Sequence, residues 1–515
     1  MVTPASPRRR ARLTLFFGAG AEASDGLPTG GRFALEVIRR AKDPIDAFKA
    51  DRVRINGGCT MAYRKWLPVD LMKQRVAHFG KSERSRIFED SLRGGYARVV
   101  ASLDAYDASA TAFMGKHGVA RSRVEALFRE ASAGATLGAE RYAHVAVSDS
   151  ITRDPSSLFA SEFFSAILTL AKARGPHDEM TRLARATMQF YLGAHGQGAM
   201  HAMSDNPLKN APDDNPAFAE LGRLFDVNPV DAGVAAFEAV MDHQEGGPVD
   251  ATAPRLFQIL AVSVLEAAVE QFLDYRAMLD ELLPSLYRPR DSWAKFTKVS
   301  LFLRATRDYV VQQQNAARGV TDGYYHDLAV ALAARRFELV RVGSSNYTDL
   351  CHSAIRELHQ EPVLALNGSL DLSLDPYKNE IVPASRSAQV ARFLVPFLFT
   401  QSGVKPLTSV DVSRKYVAYY DAVKDSDAAV VAGFGFHGDD GHINALFRQA
   451  VDDDGKRLIV LQYASDGAFD VAAAREALGE SLRVENTERI TVLPVDQRRL
   501  VNGELWTDAV LNALS

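Results

Sequence analysis

The sequence predicts an α/β fold: a doubly wound parallel sheet whose chain is interrupted by a large all-helical insertion. Three observations predict it. From about Tyr325 to the end, apolar strand-type runs alternate with helix-type runs, and that alternation implies parallel pairing with right-handed crossovers. Near the start, the apolar run Leu13 to Phe17 breaks into Gly18-Ala19-Gly20 and leads to a helix-compatible segment near Gly31. Between the two, residues 41 to 324 carry the three-to-four-residue apolar spacing of helices with few β-branched runs.

A chain of 515 residues can bury a large core and make two to four domains, or one domain carrying a large insertion. Sixty basic against 64 acidic side chains give a formal charge of −4, so the overall balance offers no attraction to nucleic acid or anionic membrane. The Arg8 to Arg10 run reads as a solvated arm; the apolar run after it is too short for a signal segment. Two remote cysteines, Cys59 and Cys351, build neither a disulfide framework nor a thiolate zinc site, which fits a reducing cytoplasm. Leu256 to Phe272 is the longest apolar helical stretch, but Gln258, Glu266, Glu270 and Gln271 mark it as a buried helix and not a membrane span.

Taken in order, the glycine turn after Leu13 to Phe17 has the form of a phosphate cradle. Gly18 and Gly20 permit positive φ and a close backbone approach, and the N–H groups of the turn favour a pyrophosphate. The same turn also serves as a tight structural connection. Phe33 to Arg40 is expected as a short amphipathic helix. In the middle, helices are expected at Asp90 to Tyr106, Ser122 to Ala133, Leu158 to Ala173, Met180 to Leu192, Pro254 to Leu283 and Ser292 to Gln314. Gly193 to Pro216 reads as a loop containing His195 and His201, with His243 further on. Their spacing matches no compact ligand pattern, and Asp205 falls in the loop, so no metal is expected.

From Tyr325 onward, helices are expected at His326 to Ala334, Leu350 to Leu358, Ser387 to Phe399, Ser409 to Val423, Ile443 to Ala450, Val471 to Leu478 and Leu505 to Leu514. Strands are expected at Phe337 to Val342, Pro362 to Leu366, Ala428 to Ala432, Arg457 to Gln462 and Ile490 to Leu493. Ligands of such sheets sit outside the carboxyl ends of the strands. Four ends carry polar clusters: Gly343 to Leu350 with Ser-Asn-Tyr-Thr-Asp, Asn367 to Asp371, Gly433 to Ile443, and Tyr463 to Asp466. Asn346, Asp349 and Asp440 also admit a plainer role as caps of the helices that follow them.

This order of motifs resembles the sirtuin-like family, in particular its bacterial NAD-consuming branch. There the first turn looks like Gly-Ala-Gly-small-Ser followed by Gly-Leu/Ile-Pro, the second motif like Thr-Asn-Tyr-Asp, the third like His-Gly-Ser, and the fourth like Gly-Tyr-Ser-Leu-x-Asp-x-x-Ile. The resemblance covers about residues 12 to 40 and 325 to 515. It implies a Rossmann-like sheet of sirtuin type formed by 1–40 and 325–515, with 41–324 as a helical insertion domain. It also implies that Gly18, Ala19, Gly20 and Ala21 hold the NAD pyrophosphate, with Asp25 and Pro28 near the nicotinamide end. Asn346 would meet the nicotinamide ribose, Asp349 would match the acid of the second motif, and Gly433, Gly435, Tyr463 and Ser465 would surround the adenosine half.

Two positions depart from the family. Its serine is Glu22 here, and its histidine before Gly-Ser is Asn367, a neutral amide that cannot take a proton near pH 7. Asn346 and Asn367 would then orient a water, and His437 or His442 would supply the base. The expected activity is NAD glycohydrolysis with NAD as substrate; the alternative is an NAD- or ADP-ribose-binding sensor without turnover. Protein deacylation is disfavoured, because the four-cysteine zinc ribbon of the deacylases has no counterpart. The branch implies a cytoplasmic antiphage effector that depletes NAD when triggered, acting as a homo-oligomer. Its trigger or partner subunit would meet the helical insertion.

Overall fold

The computed structural model describes residues 9–92, 95–139, 157–172, 174, 177–202, 232–242, 248–273, 276–399, 409–464 and 469–515. The chain divides into two compact units. One comprises residues 1–29, 40–79 and 276–515; the other comprises 30–39 and 80–275. These bounds fall elsewhere than 41 and 324: the segments 40–79 and 276–324 group with the sheet.

The first unit is built on a six-stranded sheet. Its strands are β1 (Arg12–Phe17), β2 (Glu338–Ser344), β3 (Leu364–Ala365), β7 (Ala428–Ala432), β8 (Arg457–Tyr463) and β9 (Ile490–Val495). The order is β3-β2-β1-β7-β8-β9, with every neighbouring pair parallel. The chain winds outward from β1 through β2 and β3 on one side. It then returns beside β1 and winds through β7, β8 and β9 on the other, which is the doubly wound, Rossmann-like order.

Period-two alternation gives the sheet two cores. Leu13, Leu15, Phe17, Val430, Ala432, Ile459 and Leu461 face one layer with Tyr325, Leu328, Ile355 and Trp506. Phe16, Ala429, Val431, Leu458 and Val460 face the other with Tyr419, Ile443, Phe447 and Leu482. The first layer is supplied by helices Tyr324–Ala333, Leu350–Ile355 and Trp506–Leu514, the second by Val410–Asp425, Gly441–Asp452 and Val471–Leu482. Helices on both faces explain why β7 is a continuous apolar run and why Leu13 to Phe17 of β1 is apolar but for the buried Thr14, whose hydroxyl donates to Ala422 O. Phe16 and Phe17 are both fully buried, each worth about 2 kcal/mol.

A second sheet was not expected from the sequence. Strand β4 (Gly368–Asp375) pairs antiparallel with β5 (Glu380–Pro383) and β6 (Val395–Leu398) in the order β5-β4-β6. Two expectations are corrected here. Asn367 to Asp371, expected only as a polar cluster past a strand end, opens into strand β4 at Gly368, and Ser387 to Phe399 is not one helix: a short helix spans Ala384–Ser387 and β6 follows. Helical apolar spacing was overruled by Pro396, which lacks an N–H and pushes Val395 toward extended backbone. Arg392 Nε to the fully buried Asp375 Oδ2 at 2.5 Å ties the connection to β4.

The second unit shows only helices among its described residues. They begin with Gly30–Arg40, continue with Lys81–Leu92 and Tyr96–Asp104, with a break inside the expected Asp90 to Tyr106 helix, and end with Ala253–Glu270. Ser157–Ala160 and Glu162–Lys172 likewise divide Leu158 to Ala173, because the Asp107 carboxylate accepts from the N–H groups of Glu162 and Phe163 and starts a new helix there. The expected Gly193 to Pro216 loop is corrected over residues 193–202, which complete the helix Glu179–Ala202; residues 203–216 and His243 lie outside the described residues. His195 is therefore a helix residue, its ring 4.6 Å from Tyr191 and its pKa lowered by burial.

No helix among the described residues is long and apolar enough to cross a membrane.

Candidate functional site

In a doubly wound sheet the crevice opens where the winding reverses, here between β1 and β7. Backbone closes much of it. The Gly18 N–H donates to Ala432 O at 2.9 Å, the Gly20 N–H to Gly433 O at 2.8 Å, and the Ala21 N–H to Gly18 O at 2.9 Å. A Cβ on Gly18 would stand 2.5 Å from Gly433 O, and one on Gly433, where φ is +67°, would overlap the Ala21 nitrogen. The glycines thus let two strand-end turns touch. This corrects one expectation: three N–H groups of the turn are engaged by carbonyls and are not open to a pyrophosphate. Ala19 and Gly20 remain at the surface.

Beside this seam, at the ends of β1 and β2, lies a buried polar cluster. Asn346, 6% exposed, donates from Nδ2 to Gly18 O and to the Tyr325 hydroxyl, both at 3.0 Å. Its own N–H donates to Ser344 Oγ, and Ser344 Oγ donates to Phe17 O. The Tyr325 hydroxyl donates to Glu22 Oε1 at 3.0 Å, and Thr348 Oγ1 donates to the same oxygen. Glu22 sits in the short helix Ala19–Ala23 and is only 4% exposed. Burial pushes its carboxyl up to about 7, against the hydrogen bonds from Thr348 and Tyr325 that hold it down; Asp25 adds to the rise. Burial also holds Tyr325 and Cys351 well above their ordinary values, so both are neutral near pH 7.

A second cluster forms at the ends of β3 and β7. Asn367, 5% exposed, presents Oδ1 to His442 Nε2 at 2.9 Å and Nδ2 to Asp440 Oδ1 at 3.5 Å. An amide oxygen accepts only, so Nε2 carries the proton in this contact and Nδ1 is the basic nitrogen of a neutral ring. The register relates the clusters: Ser344 pairs with Ala365 across β2 and β3, and Asn346 and Asn367 each follow their partner by two residues. Asn346 and Asn367 thus each lie two residues past the carboxyl end of one of two neighbouring parallel strands.

The loop before His442 is pinned by aromatic rings. Phe436 is buried at φ +52°, Phe434 packs on Phe16 at 5.1 Å, and Asn444 Nδ2 donates to Phe436 O and His437 O. Gly435 is exposed on this loop; His437 is exposed as well.

The remaining expected residues scatter. Asp349 starts the helix Leu350–Ile355 without a side-chain capping bond; its two carboxylate oxygens meet Arg318 at 3.0 Å, and its N–H donates to Gln314 Oε1. Asp440 makes no side-chain cap either, and Asn346 turns to Gly18 and Tyr325, so the capping explanation fails for all three. Asp25 borders a cavity of about 340 Å³ lined also by Arg318, Asp322, Tyr325, His326 and Ser353. Burial pushes its carboxyl up to about 6; Arg499 opposes the rise and Asp322 adds to it. Pro28 lies in the loop before the helix Gly30–Arg40. Tyr463 ends β8, two strands from β1, and is 56% exposed; Ser465 lies outside the described residues.

Glu22, Tyr325 and Thr348 belong to the site without having been singled out for a role in it. The signal for Glu22 was a lone carboxylate among small residues soon after the apolar run Leu13 to Phe17. Among the described residues no group of three or more His, Cys, Asp or Glu side chains gathers as metal ligands would.

Comparison with protein-family models, with curated proteins and with solved structures finds no match to the chain.

Proposed function

We propose that the chain is an NAD+ glycohydrolase that releases nicotinamide and ADP-ribose, built on a sirtuin-type sheet with the helical unit as an insertion. The observation that carries this reading is the His442–Asn367 hydrogen bond of 2.9 Å beside the strand end that bears Asn346. The resembling family has its histidine at position 367; here a histidine from the next motif reaches that same side chain. The doubly wound strand order supports a nucleotide ligand at the carboxyl edge of the sheet.

Cleaving the bond between nicotinamide and ribose passes through an oxocarbenium-like state, so positioning and charge stabilisation carry most of the chemistry. Asn346 spends both N–H groups on Gly18 and Tyr325, which leaves Oδ1 to accept from a ribose hydroxyl. Asn367 orients His442 in the manner of the asparagine of a Cys-His-Asn triad, and the imidazole acts as the base toward the attacking water. A role in antiphage defence, an infection trigger and assembly into oligomers rest on the family resemblance.

The test is incubation of the purified protein with NAD, alone and with lysate from phage-infected cells, following nicotinamide by chromatography. Release by the parent and none by a folded Asn346→Ala variant is expected. Parent-rate release by that variant would overturn the site assignment. Binding without release under both conditions would leave the sensor reading in its place.

A further inference from the structure

We infer that a groove lined by Asn56, Cys59 and the segment 61–73 docks an acidic peptide that carries a bulky apolar side chain. The groove lies within the first unit, in a part of the chain that the strand-end clusters and the proposed NAD chemistry do not use. It encloses about 520 Å³, within the range of ligand pockets, and Arg290, from the loop ahead of the helix Trp293–Ala317, completes its wall.

Two observations select the occupant. The first is exposed apolar surface. Val69 at 75% and Met61 at 73% are the most exposed large apolar side chains among the described residues, and both line this one groove; Met72, 42% exposed, lines it too. Apolar side chains gathered in a concavity among polar ones mark an interaction site, and methionine adapts its shape to what it meets.

The second is positive charge without a counterpart. Four cations, Arg64, Lys65, Lys73 and Arg290, line the groove against one carboxylate, Asp70, in a chain whose formal charge is −4. Lys73 pairs with Asp70 at 3.6 Å; the other three form no ion pair among the described residues. The cations stand on three elements: the helix Met61–Trp66, the 3-10 helix Leu71–Lys73 and the loop at Arg290. A single anionic head group supplies charge at one point, whereas the side chains of an acidic peptide supply it at several. Nucleic acid also spreads its charge, but no aromatic side chain is among the lining residues for a base to stack on. A bilayer is flat where this surface is concave.

The groove is formed before a ligand arrives. Thr60 caps its central helix by accepting from the Tyr63 N–H, and the buried Tyr63 hydroxyl accepts from the Phe393 N–H at 2.9 Å. Arg64 Nη2 donates to Asn56 O at 2.6 Å and Arg290 Nη1 to Lys65 O at 3.2 Å, so backbone carbonyls hold two of the cations in place. Side chains already held lose little freedom on binding. Cys59, partly exposed in the same wall, serves as a reporter, because the other cysteine of the chain, Cys351, is buried.

The experiment uses the full chain. Selection on it from a random library of short peptides displayed on phage should return sequences in which acidic residues flank a bulky apolar one. A fluorescein-labelled peptide of the leading sequence, followed by anisotropy, should bind the parent and weaken about tenfold in each of Lys65→Glu and Val69→Ser. Both side chains are exposed, so the fold tolerates either change; Val471→Ser, at an exposed apolar position outside the groove, should bind as the parent does. Saturating peptide should slow maleimide labelling of Cys59 several-fold.

A selection that returns no binder, or binders without acidic residues, overturns the inference. So do peptides that bind Lys65→Glu and Val69→Ser as tightly as the parent, or that leave Cys59 labelling unchanged. Tighter binding to phosphatidylserine vesicles or to a single-stranded oligonucleotide, lost in the same two variants, overturns it in favour of a membrane or a nucleic acid.

Discussion

The two polar clusters on the carboxyl edge of the sheet are built to different standards. The one at β1 and β2 is buried, and its bonds run without a gap from Gly18 through Asn346 and Tyr325 to Glu22. The one at β3 and β7 joins a buried Asn367 to a half-buried His442 and, at a longer 3.5 Å, to Asp440. A closed network fixes an orientation before any ligand arrives, whereas a half-open one can trade protons with water. On the proposed NAD+ hydrolase reading, positioning falls to the first cluster and proton transfer to the second.

The seam both clusters lean on gives the strongest test. Gly433→Ala forces a Cβ into the Ala21 backbone at positive φ and should lower stability by about 4 kcal/mol, seen as a lower urea midpoint at unchanged slope. A loss below about 1 kcal/mol would mean that the turns separate readily and the comparison lacks a common frame.

Next comes Asn346→Ala, which should cut nicotinamide release about 1,000-fold while the circular dichroism spectrum stays that of the parent. Glu22→Gln sharpens the contrast through stability. An acid whose pKa is raised by folding, here from 4.5 to about 7, makes the native state less stable as pH climbs through that window. Removing the charge should therefore stabilise the protein by about 3 kcal/mol at pH 8 and by almost nothing below pH 4, read from denaturation midpoints at both values.

His442→Ala should slow release about 100-fold with little change in stability, since its ring is half-buried. Asn367→His, which restores an imidazole at the family position, should leave release unchanged or faster. Thr348→Val is the smallest expected effect, a loss of about 1 kcal/mol at pH 8 that shrinks at pH 6 as Glu22 takes up its proton. Equal losses at the two pH values would mean that the hydroxyl serves packing and not the carboxylate.

The parallel sheet was legible because buried parallel strands are written as apolar runs. Leu13 to Phe17 and Ala428 to Ala432 admit little else, and turns follow each. The small antiparallel sheet was not legible, because β4 opens in what reads as a polar strand-end cluster and the apolar spacing around β6 reads as helical until Pro396 is weighed against it. In the site, Asn346, Asn367 and His442 were legible as polar residues at strand ends. Glu22 was seen as a departure from a resembling motif, and its burial could not be read, since nothing local says that Tyr325, more than 300 residues away, closes over it.

The place of β1 in the middle of the sheet has a cost in time. Its two neighbours lie far along the chain: Arg12 meets Glu338 across 326 positions and Asp427 across 415. During synthesis at about 10 residues per second, an apolar strand with both edges unpaired leaves the ribosome tens of seconds before its first partner exists. The nascent chain must shield that strand or entrust it to a chaperone. In a cell, the yield of active protein will then depend on translation speed and holdase supply more than on the stability of the finished sheet.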